Sequence, residues 1–138
     1  MRGYILRIAK EEWVRQVFTL KKYYPGVRRR WEAGMTIFFA HKVEGGDAFL
    51  GYGVVEQFQP LEELSEGEQE ECRRMGWRGA ICFREVVKFE PPLLIRETPI
   101  GDLPAKGRYL HGYPLQPKEV ESIMNIAKSL CTLMKVDC

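Results

Sequence analysis

Residues 35–43, MTIFFAHKV, constrain the fold most, because a strand over this run carries apolar side chains on both faces: Ile37 and Phe39 on one, Phe38 and Ala40 on the other. A strand of that kind has to be covered from two sides. The turn-forming EGGD follows, and AFLGYGVVEQF (48–58) is again rich in strand formers, so the two runs are expected to pair as a hairpin. Gly51 and Gly53, two apart on one face of the second strand, strip it of side chains and let the sheet coil or another group come close.

Around this hairpin the chain alternates in type. GYILRI (3–8) reads as a first strand. Trp13, Val17, Leu20 and Tyr24 then fall on one helical face, and Pro25-Gly26 stops that helix, which puts Lys21 and Lys22 in its last turn. LEELSEGEQEECRRM, within 60–75, can form a second helix on a thin apolar stripe of Leu61, Leu64, Cys72 and Met75. In GAICFREVVKFEPP (79–92), Ile81, Phe83, Val87 and Phe89 are expected on one face with Glu85 among them, and the two prolines to end the strand. Residues 93–117 have the texture of a structured loop after one short strand. Pro117 then opens a closing helix whose stripe is Val120, Ile123, Ala127, Leu130 and Met134.

This element order predicts one α+β domain over 1–138, a small mixed and mainly antiparallel β-barrel with flanking helices. At 138 residues, 45% hydrophobic and 29% charged, the chain suits a single packed core. The absence of a long uncharged apolar run and the early charges of MRGYILRIAKEEW predict a cytoplasmic protein without a membrane span. Cys72, Cys82, Cys131 and Cys138 form no CxxC pair, so reduced thiols are expected, with neither metal nor cofactor. A single Asn beside plentiful Glu, Lys and Arg suits a protein that withstands heat, a thermophile's bias.

The charge is unevenly spread. Residues 1–34 hold nine Lys and Arg against three Glu, a net +6, whereas 61–75 hold six Glu against two Arg, a net −4. The acidic block reads as a solvated helix face. In KKYYPGVRRRWEAG (21–34) aromatics are interleaved with the basic residues, so Lys21, Lys22, Arg28, Arg29 and Arg30 could neutralise phosphates while Tyr23 or Trp31 stacks on an unpaired base. Burial of Trp31 in the core with the arginines solvated is the competing reading. Trp77, beside Arg78 in RRMGWRG, could form a second wall of the groove. KGRYLHGY (106–113) adds Arg108, Tyr109 and His111 in a Gly-rich loop that could cap a ligand.

YPGVRRRWEAGMTIFFAH followed by FLGYGVVEQF resembles segments of the PUA-like superfamily, in particular its branch of EVE, ASCH and YTH domains. That resemblance implies a PUA-like barrel and recognition of RNA or a modified nucleotide without catalysis. An enzyme would need other groups. Cys82 and His111 could supply a thiol and a base, but nothing in the sequence brings them together, and His41 shares a strand face with Ile37 and Phe39. The expected function is an RNA- or modified-nucleotide-binding module. The alternatives are a small-molecule-binding or hydrolytic enzyme using the same cleft, and a protein-interaction module using the acidic helix.

Overall fold

The computed structural model describes residues 2–102 and 110–136. The elements run β1 (Gly3–Arg7), α1 (Glu11–Leu20), β2 (Lys22–Tyr23), β3 (Thr36–Val43), β4 (Gly46–Pro60), α2 (Glu66–Met75), β5 (Gly79–Leu94), β6 (Tyr113–Leu115), α3 (Pro117–Leu130) and β7 (Thr132–Lys135), with short 3-10 turns before α2 and after β5. The hairpin forms as expected, and Gly45 and Gly46 take φ of 97° and 127° at its turn.

The barrel does not form. The seven strands make one open mixed sheet in the order β2-β5-β4-β3-β1-β6, with β7 also paired to β5. β1 lies parallel to β3, a pairing that requires a crossover and obtains one through α1. The strands at the two ends of the path, β2 and β6, are not paired to each other. The doubly apolar β3 does not face a barrel interior; helices cover it instead. Ile37 and Phe39 pack in the cluster that contains Val17 of α1, and Phe38 and Ala40 in the cluster that contains Val120, Ile123 and Ala127 of α3. A small third cluster holds Cys72 of α2 with Leu64 and Ala80.

Register shifts between β4 and β5 explain a second departure. Val54 lies opposite Glu85 but Val55 opposite Phe83, so Arg84 is the extra residue of a bulge. One extra residue reverses the alternation. Val86, not Val87, therefore packs with Ile81 and Phe83, while Phe89 crosses to the α3 side. β5 also continues beyond the two prolines to Leu94.

α1 is shorter than its periodicity implied. It ends at Lys21, whose φ of 55° is left-handed and whose N–H donates to Val17 O, so Lys21 caps the helix and Lys22 already belongs to β2. Leu20 consequently faces solvent. α2 begins only after Ser65, whose Oγ accepts from Glu68 N–H while Glu68 Oε1 accepts from Ser65 N–H. Leu130 ends α3 in solvent, and Met134, expected on its stripe, belongs to β7. No helix among the described residues is long and apolar enough to cross a membrane.

Candidate functional site

A cavity of about 310 Å³ is lined by Arg7, Ala9, Trp13, Tyr23, Gly26, Trp77 and His111. Arg7 ends β1, where its backbone N–H donates to His111 Nδ1 at 3.1 Å and its Nη2 donates to Asp47 Oδ1 at 3.1 Å. A backbone N–H can only donate, so His111 Nδ1 is unprotonated and the neutral ring carries its hydrogen on Nε2. Burial, followed by the positive charge of Arg29, pushes the His111 pKa down and favours that neutral form. The Arg7 Nε is buried without a hydrogen-bond partner among the described residues.

The aromatic walls brace one another. Trp77 stacks on Tyr24 with centroids 5.4 Å apart and an interplanar angle of 11°, and meets Trp13 edge-on at 5.7 Å. Lys10 Nζ sits 5.0 Å from the Trp13 ring centre. Tyr23 is buried, which pushes its phenol up to about 12 and keeps the hydroxyl protonated at neutral pH.

A smaller hollow of about 140 Å³ is bordered by Arg28, Arg29 and Arg78 with Pro25, Val27, Trp31 and Phe58. Pro25 and Arg78 border the hollow while their chain neighbours Gly26 and Trp77 border the cavity. Arg29 is pinned: its Nε donates to Gly112 O at 2.9 Å and its Nη1 to Arg28 O at 2.7 Å. A Cβ at Gly112, whose φ is 77°, would stand 2.9 Å from Val27 and 3.0 Å from Arg29 Nη2, so the approach depends on glycine. Arg28 and Arg78 are exposed and make no ion pair among the described residues.

Of the residues singled out in the sequence, Tyr23, Trp77 and His111 converge on the cavity, and Arg28, Arg29, Trp31 and Arg78 on the hollow. Trp31 is only 9% exposed and packs edge-on to Tyr4 at 5.2 Å, which makes it a core residue rather than a stacking platform. Others lie apart from both. Lys22 is bound to Glu68, Lys21 caps α1, and the exposed Arg30 lies 3.5 Å from Glu32. Arg108 and Tyr109 fall outside the described residues. Sequence reasoning misses Arg7 and Trp13. The signal for Arg7 is a charge between Leu6 and Ile8, both fully buried; Trp13 is absorbed into the helix stripe.

The groups considered for catalysis are engaged elsewhere. Cys82 Sγ donates to Gln59 Oε1 at 3.4 Å, and burial pushes its thiol up, away from the reactive thiolate. His41 Nδ1 donates to Ile8 O at 2.6 Å, with Nε2 3.9 Å from Glu11. Among the described residues no group of three His, Cys, Asp or Glu is placed to hold a metal ion.

Comparison of the chain with family models, curated proteins and solved structures finds no match. The PUA-like assignment therefore has no support there, and the open sheet removes the barrel it implied.

Proposed function

We propose that this protein binds single-stranded RNA or a modified nucleotide, with a base in the aromatic cavity and the adjoining phosphate at the arginine hollow. The observation that carries the reading is that chain neighbours line the two, Gly26 and Trp77 the cavity and Pro25 and Arg78 the hollow, which brings Trp13, Trp77 and Tyr23 into the neighbourhood of Arg28, Arg29 and Arg78. Ring stacking on a base contributes about 1–3 kcal/mol, and the guanidinium groups supply an attraction for phosphate that weakens with salt. Neither needs a catalytic group.

The test is a titration of the tryptophan fluorescence with a short single-stranded RNA at about 50 and 200 mM salt. Binding is expected to weaken with salt, and replacement of Arg28 and Arg78 by Ala to flatten the log–log slope by about 0.7 for each phosphate that is no longer neutralised. RNA binding of unchanged affinity and slope in that double variant would remove the hollow from the reading, and absence of binding by the parent would overturn it.

A further inference from the structure

The cavity's side-chain hydrogen-bonding groups are unbalanced. Arg7 has Nη2 engaged by Asp47, while Nη1 is bonded to no described residue and, unlike Nε, is not a buried orphan. His111 Nδ1 is occupied by the Arg7 N–H, which leaves Nε2–H as its free group. The indole N–H groups of Trp13 and Trp77 have no described hydrogen-bond partner, and that of Trp77 lies on the side facing Gly26. All four are donors with no capacity to accept. Against them the described side chains of the lining offer one group able to accept, the Tyr23 hydroxyl, and neither a carboxylate nor an amide.

We infer that the cavity selects a heterocycle whose edge presents carbonyl oxygens over its counterpart bearing an exocyclic amine. The inference rests on the nucleotide reading above and specifies which bases that site accepts: uracil- and hypoxanthine-like edges ahead of cytosine and adenine. Exchanging an amine for a carbonyl replaces a two-hydrogen donor and an accepting ring nitrogen with an oxygen bearing two lone pairs and a ring N–H. The amino base thus brings more hydrogens to a wall already crowded with them. Each unmatched N–H is left without its aqueous partner, and that desolvation is what separates the two ligands.

Two pairs of probes isolate this exchange on otherwise identical nucleotides: uridine against cytidine 5′-monophosphate, and inosine against adenosine 5′-monophosphate. In a fluorescence titration of the full chain, the carbonyl member of each pair is expected to bind about tenfold more tightly. His111→Gln, which introduces an accepting oxygen, should bring the ratio close to one, and Trp77→Phe, which retains a stacking ring without its N–H, should lower the ratio while binding persists. Equal binding within both pairs, or tighter binding of the amino members, would overturn the selection and leave the nucleotide site standing. No binding of any of the four, together with no binding of single-stranded RNA, would overturn both. If either variant fails to fold, the ratios measured on the parent chain decide alone.

Discussion

Lys22 and Glu68, 46 positions apart in the chain, are joined at 2.6 Å, and the same carboxylate oxygen accepts from Tyr24 Oη at 2.6 Å. The basic and acidic blocks that looked independent in the sequence are therefore clamped together, with α2 held against the sheet edge. The Lys22 ammonium, then the Tyr24 hydroxyl, hold the Glu68 carboxyl down from an ordinary value near 4.5 to about 2. Because the folded value lies below the unfolded one, the resulting stability is complete above about pH 4.5 and is lost as pH falls toward 2. Glu68→Gln is expected to cost about 1 kcal/mol at pH 7, a modest figure because the pair is partly solvated. Urea unfolding of both proteins from pH 7 down to 2 should show the difference closing across that window; a constant difference would rule out the ionic origin.

Trp31 and Trp77 should separate by consequence. Trp31→Ala empties a core position and is expected to cost about 3–5 kcal/mol. Trp77→Ala removes a half-buried ring from the cavity wall, so its main effect should fall on RNA affinity, about 1–3 kcal/mol. Paired denaturation curves and fluorescence titrations distinguish them, and the reverse pattern would restore Trp31 as a stacking group.

Gly51 is fixed by backbone crowding. An added Cβ would stand 2.0 Å from Val87 O, a main-chain atom that cannot swing aside. Gly51→Ala is expected to destabilise by roughly 3 kcal/mol by forcing β4 from β5. Guanidinium unfolding measures this directly, and a change below about 0.5 kcal/mol, the ordinary range of surface substitutions, would contradict the crowding.

Cys82 should behave as an inert thiol. Its raised pKa and its bond to Gln59 predict alkylation slower than that of an unfolded reference peptide at neutral pH, followed by mass mapping. Labelling at the reference rate would revive a nucleophilic role for this residue.

Much of the fold was legible where periodicity is local: the β3–β4 hairpin, the Val120, Ile123 and Ala127 part of the α3 stripe and the Pro117 start all follow from short-range pattern. The closure of the sheet was not. Two apolar faces on β3 say that both are covered, but a barrel interior and a helix demand the same side chains. The bulge at Arg84 was equally silent, since it is defined by β4 and not by β5's own sequence. Within the site, Tyr23, Trp77 and His111 were legible as aromatic and basic groups in turn-rich stretches. Arg7 was not, because its role arises from hydrogen bonds with Asp47 and His111 that are remote in the chain.

The cavity takes Arg7 from β1, Trp13 from α1, Tyr23 from β2, Trp77 from the turn after α2 and His111 from the turn before β6. No fragment of the chain contains it. A molecule that fills it binds only the assembled fold, and mass action then converts occupancy into resistance to unfolding, about 2.7 kcal/mol when the ligand stands at a hundred times its dissociation constant. The melting temperature of the intact protein is thereby a chemically unbiased reporter: a library of nucleotides and unrelated metabolites, screened blind, would be ranked by the cavity itself.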